Sequence, residues 1–181
     1  ITFRFPNGIR DDFLDEDILN AIKSVGCYHL SFGIESGSQR VLDIMKKGKK
    51  IEKITEKVLL AKKMGFVLTS SFLFGTPGET LEDMEKTIKY AKSLPLDAAH
   101  FGIVMPYPGT EMRGEAESRG WLVHSDYEKY VPGLEGLSPA IATPDFSAED
   151  LFTMLKKANR DFYFRPKYML KALTQLTSLR N

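Results

Sequence analysis

The feature that most limits what this chain can fold into is a recurrence. An apolar run of strand length leads into a glycine-bearing polar corner, and then into a segment with helical spacing. Residues 28–48 show it best: Tyr28, Leu30, Phe32 and Ile34 are apolar at every second position, with Cys27, His29, Ser31 and Gly33 between them. The run stops at Glu35-Ser36-Gly37-Ser38, which suits a turn and a helix N-cap. Val41, Leu42 and Met45 then recur at helical spacing, and Gly48 supplies a left-handed stop.

The same alternation runs through residues 1–120. Residues 1–6 read as a strand broken by Pro6-Asn7-Gly8, and residues 15–26 as a helix with an acid-rich first turn. A helix over 51–65 precedes the strand 66–74, whose exit is Gly75-Thr76-Pro77-Gly78-Glu79. Thr80-x-x-Asp83 reads as a capping box for the helix that follows. A fourth strand over 98–105 exits through Pro106-Tyr107-Pro108-Gly109-Thr110 into a short helix. Four βα units predict an α/β fold with a parallel sheet and right-handed crossovers. Residues 121–144 read as a loop or cap. Ser147-x-x-Asp150 opens another helix, and Pro166 starts the last. The expected division is a βα body over 1–120 and a loop with a helical cap over 121–181.

Composition narrows the function. A length of 181 residues suffices for one domain with a sizeable core. A formal net charge of +1 gives no electrostatic footprint for nucleic acid or an anionic membrane. No apolar run approaches the ~20 residues of a membrane span, and no signal peptide is visible. Cys27 is the only cysteine, so an internal disulfide is excluded and a reducing cytoplasm is the expected setting. Ile1 opens directly into strand-like sequence, as expected of a piece of a longer protein.

Three strand exits, GIESGS, FGTPGET and MPYPGTE, share one edge of such a sheet, because all strands of a parallel sheet end on the same side. Glu35 can accept hydrogen bonds from hydroxyls or an amine. Gly75, Gly78 and Gly109 allow close approach to the backbone, and the prolines lower the ordering cost of binding. Each corner alone is also what a turn or cap would contain. Their coincidence on one edge carries the functional reading.

The stretches PNGIRDD, FGIESGSQRVLDIMKKG, FLFGTPGET and MPYPGTEM, with the tail NRDFYFRPKYMLKAL, resemble the radical S-adenosylmethionine (SAM) superfamily. The resemblance is greatest to its cobalamin-binding branch, which includes the anaerobic magnesium-protoporphyrin monomethyl ester cyclases. It implies a partial (β/α)6 barrel, of which the four strands here would be the third to sixth. Glu35, with Ser36 beside it, would meet the ribose or methionyl part of SAM. Lys47 would meet the methionyl carboxylate, although cations near a helix C-terminus need no ligand to explain them. Ser71 sits where some relatives hold a ribose-contacting acid. Leu73 and Gly75 match the adenine-facing strand, and Met105 and Tyr107 would bracket the adenine. Asn7 and Arg10 lie at the first strand's exit.

The resemblance also implies a four-iron four-sulfur cluster held by three cysteines, and in some relatives cobalamin. Such clusters need thiolate ligands, and this chain has one cysteine. It is therefore expected to be the C-terminal, SAM-binding part of a radical enzyme and inactive alone. The whole protein would cleave SAM reductively and use a 5′-deoxyadenosyl radical on a small-molecule substrate. The alternatives are a non-catalytic ligand-binding or interaction module on a half-barrel, and an α/β enzyme using Glu35 as general base. Removing two barrel strands is expected to expose an edge and core-facing apolar surface, and so to drive self-association.

Overall fold

The computed structural model describes residues 1–9, 13–123, 140–166 and 168–170. Four strands, β1 (Phe3–Ile9), β2 (Cys27–Glu35), β3 (Val67–Phe74) and β4 (Ala98–Ile103), form one parallel sheet in the order β1-β2-β3-β4. Helices α1 (Glu16–Ser24), α2 (Gln39–Ile44), α3 (Ile51–Lys63), α4 (Leu81–Ser93) and α5 (Glu111–Ser118) follow or connect the strands, and α6 (Ala148–Tyr163) comes last. Strand order follows chain order, as expected when each crossover returns to the adjacent position.

One face of the sheet is packed. Leu30, Phe32 and Ile34 of β2, Leu68 and Phe72 of β3, and Ala99 of β4 are buried with Leu19, Ile54, Val58, Ala61 and Ala91 of the helices. Each fully buried Leu, Ile or Phe contributes about 1.5–3 kcal/mol. A second cluster joins Phe74, Met84, Ile88 and Ile103 to Phe146, Leu151, Met154 and Ala158, so α6 extends the helical layer past β4. The Tyr163 hydroxyl accepts from Ala99 N (3.2 Å) and donates to Ala99 O (2.8 Å), occupying backbone groups of β4.

The opposite face carries His29, Ser31 and Gly33, then Thr69, Ser71 and Leu73, then Ala98, His100 and Gly102. Register sets Ser31 beside Thr69 and Ala98, Gly33 beside Ser71 and His100, and Leu73 beside Gly102. The sequence reading expected apolar surface here. Along these three strands the side chains are instead mostly polar or small, because the strands alternate rather than being apolar on both faces.

Local signals hold in most places. Asp15 caps α1 by accepting from Ile18 N (2.8 Å), and Thr80/Asp83 and Ser147/Asp150 both close reciprocal capping boxes. Two expectations are corrected. Pro6 does not end β1, which runs on to Ile9 through a register irregularity, as an edge strand allows. Ser38 begins α2 without a side-chain cap, because its hydroxyl donates to Asp83 instead (2.8 Å). Most of the last expected helix, and most of the loop over 121–144, lies outside the described residues.

Candidate functional site

The strand exits shape the site. Glu35 ends β2 with φ of +72°, a left-handed conformation costly for a residue with a Cβ. The register to β3 slips at the same point, with Gly33 opposite Ser71 and Glu35 opposite Phe72. A Cβ at Gly33 would stand 3.1 Å from Glu35 Oε1, so the carboxylate lies over that glycine. Likewise a Cβ at Gly102 would stand 3.3 Å from Leu73 Cδ2. The two glycines leave room for two candidate ligand-facing side chains.

Two adjoining clefts result. One, of about 430 Å³, is lined by Leu73, Thr76 and Pro77 after β3, by Val104, Met105 and Tyr107 after β4, by residues 44–47, and by Glu111, Met112 and Glu115 of α5. The other, of about 420 Å³, is lined by Asn7, Gly8, Ile9, Gly33, Glu35, Lys46, Lys47 and Lys49. Lys46 and Lys47 line both. Lys47 Nζ donates to Glu35 Oε1 at 3.3 Å, and Lys49 Nζ to Gly33 O at 3.4 Å. Lys46, also left-handed with φ of +55°, pairs with Glu111, another residue lining the first cleft (2.6 Å). The site thus offers a mostly apolar slot with a carboxylate and ammonium groups at one end. That combination suits a ligand with an aromatic body and a charged tail.

Glu35, Lys47, Leu73, Met105 and Tyr107 therefore line these two clefts. Ser71 sits on the open sheet face beside Gly33 and His100, one row from Leu73. Ser36 turns away: it is buried, its hydroxyl is 3.0 Å from Thr87 Oγ1, and it accepts from Ser38 N (3.1 Å). Gly75 is buried and its N–H donates to Glu79 Oε2 (2.7 Å). Arg10 lies outside the described residues. Sequence reading missed Met45, Thr76, Val104, Glu111 and Met112. For Met45 and Val104, each apolar and one residue past the end of its element, that position was the available signal.

Behind the corners lies a buried polar lock. Asp83 accepts from Ser38, Thr80 and the Arg40 guanidinium. Burial works to raise its pKa, but these hydrogen bonds outweigh burial and hold it well below the usual carboxylate range. Glu79 takes the other course. Its Oε2 accepts from Gly75 N and Thr76 N while Oε1 has no partner among the described residues, and burial pushes it up to about 7.

A parallel βα sheet whose strand exits line two adjoining clefts is the arrangement of an α/β protein of the partial-barrel kind. Residues 5–91 match the Radical SAM superfamily, and the chain belongs to that superfamily. It is 37% identical, over 90% of its own length and 34% of the other's, to an uncharacterized methyltransferase of Pyrococcus horikoshii. It is 30% identical, over 67% of its length and 22% of the other's, to the anaerobic magnesium-protoporphyrin IX monomethyl ester cyclase of Rubrivivax gelatinosus. In fold it is similar to coproporphyrinogen III oxidase (HemN) from Escherichia coli, a radical SAM enzyme, with a TM-score of 0.58 at 17% identity over 84% of this chain and 30% of that one. The chain spans about a third or less of the curated relatives it matches.

Proposed function

We propose that this chain supplies the nucleoside and methionyl side of a SAM site in a radical SAM enzyme. Leu73, Met105 and Tyr107 form the adenine slot, and Glu35 and Lys47 take the amino and carboxylate groups of the methionyl tail. The observation that carries this reading is the Glu35–Lys47 pair at the junction of the two clefts. A zwitterion can exchange that pair for two matched ion pairs, so the two residues need not be left unpaired in either state. The sheet face beneath would hold part of the substrate cavity.

The residues present do not fit an iron–sulfur cluster. The chain has one cysteine; Cys27 is buried and donates to His29 O at 3.6 Å. Among the described residues no three His, Cys, Asp or Glu side chains group as metal ligands. Reductive cleavage of SAM is accordingly assigned to the whole protein and not to this chain, which alone should turn over no SAM. Cobalamin, where the whole protein uses it, is likewise assigned to the whole protein. A non-catalytic ligand-binding module is the second reading, favoured by the same single thiol. No described helix is long and apolar enough to cross a membrane. A cytoplasmic setting belongs to the proposal.

The test is equilibrium binding of SAM to the full protein. Glu35→Gln and Lys47→Met should each weaken binding about tenfold or more. Affinities within about twofold of the unaltered protein for both would end this reading.

A further inference from the structure

The corner that leaves β3 is held by a single side chain. Glu79 Oε2 accepts from Gly75 N (2.7 Å) and Thr76 N (3.1 Å), and Glu79 N donates to Thr76 O (2.8 Å). Residues 75–79 thus fold back around a carboxyl group that has no exposed surface. Gly75 and Gly78 permit the reversal, with φ of +93° and +81°. Through Thr76 and Pro77 the same corner is a wall of the first cleft.

Two polar atoms here are orphans. Glu79 Oε1 and Thr76 Oγ1 are buried and meet no partner among the described residues. The start of α4 does not require Glu79, since Thr80 and Asp83 close its capping box. A neutral acid can carry its proton on Oε1 while Oε2 still accepts from both N–H groups. The anion instead leaves charge on an atom that nothing solvates, which is stable only where water can reach it. Among charged neighbours, Asp83 of α4 disfavours the anion, and Arg40 of α2 favours it. Towards α6 and the segment after β4 the surroundings are apolar. A Cβ at Gly75 would stand 3.1 Å from Leu151 Cδ1 and 3.6 Å from Val104 Cγ2. Burial is the largest influence, outweighs the two N–H bonds and Arg40, and pushes the carboxyl up to about 7.

We propose that Glu79 is a positioning residue for the first cleft: its protonated side chain holds the Thr76–Pro77 wall closed, and loss of the proton admits water and parts the corner from Leu151 and Val104. Val104 lines the cleft as well, so the cleft changes shape with the corner. A ligand that needs the closed wall therefore binds together with a proton. Its affinity is full in acid and declines as pH rises through the folded value. The inference rests on the SAM reading only in taking SAM as that ligand. The wall and its proton are independent of it.

The test begins with the full protein, isotope-labelled in its backbone amides and methionine methyls and followed by NMR from pH 5 to pH 9 without ligand. The Gly75 and Thr76 amides and the Met105 and Met112 methyls, which line the cleft, should shift together with a midpoint of about 7. Glu79→Gln keeps the acceptor but cannot ionise, and should abolish that shared midpoint. Between pH 6 and pH 8, SAM affinity should fall about tenfold more in the unaltered protein than in the variant. Corner amides that do not titrate overturn the proposal, as do amides that titrate while both methyls stay still. These two outcomes need no variant, so they decide the matter even where Glu79→Gln fails to fold. A SAM affinity with the same pH dependence in both proteins also overturns it. Corner and methyls that titrate together in a protein with no affinity for SAM at any pH would end the cofactor reading and leave this one standing.

Discussion

Glu79 and Asp83 are four residues apart in one corner and titrate in opposite directions. Glu79 keeps its proton to about pH 7 in the folded chain, against an ordinary value of 4.5. Because its folded value is the higher one, the folded state binds more protons than the unfolded state between these values. Its contribution is therefore fully present in acid and lost as pH rises through the folded value. The size is of order 1–3 kcal/mol. Glu79→Gln cannot ionise, so the melting-temperature difference between the variant and the parent chain should shift in the variant's favour between pH 5 and pH 8. A constant difference across that range would show that Glu79 does not titrate there. Asp83 behaves oppositely, and its stabilisation is lost only as pH falls below the carboxylate range. Neither assignment could be read from GTPGETLED. The burial of one carboxylate and the partners of the other are set by residues up to 45 positions away.

Among the elements, α4 does more than cover the sheet. Its first turn binds Ser38 and Arg40 at the start of α2, and Thr87 receives Ser36 and Gly37. A Cβ at Gly37 would lie 2.6 Å from Tyr90 Cβ and 2.8 Å from Thr87 Cα, which leaves no room for alanine without parting the corner from the helix. Gly37→Ala should cost about 1–3 kcal/mol in denaturant unfolding. It should also weaken SAM binding by more than Thr80→Ala, a lost cap worth about 1 kcal/mol. Equal effects would mean that the corner moves freely from α4. The capping boxes were legible because an N-cap and its third residue sit within one turn. The side to which Ser36 points was not, because Thr87 lies 51 residues on.

At the scale of the whole molecule the parallel sheet could be read from alternation and glycine stops, and its consecutive order from the barrel that the resemblance implies. The two rims could not. β4 is shielded by Tyr163, whereas β1 leaves Phe5 36% exposed at the opposite rim. The 181-residue chain is therefore expected to self-associate through β1, seen as a concentration-dependent mass by light scattering. Phe5→Lys should suppress it, since charge on an edge strand discourages pairing. A single-chain mass at every concentration would contradict it.

The Lys46–Glu111 clasp belongs to the lining of the first cleft, so on the proposed reading a ligand that enters it meets an ion pair. A visitor bearing its own carboxylate can compete with Glu111 for the lysine, whereas a neutral one leaves both groups to each other and to water. Dissolved salt loosens the same clasp, since both partners are largely exposed. Whatever preference for charged ligands the pair confers is therefore greatest in dilute buffer.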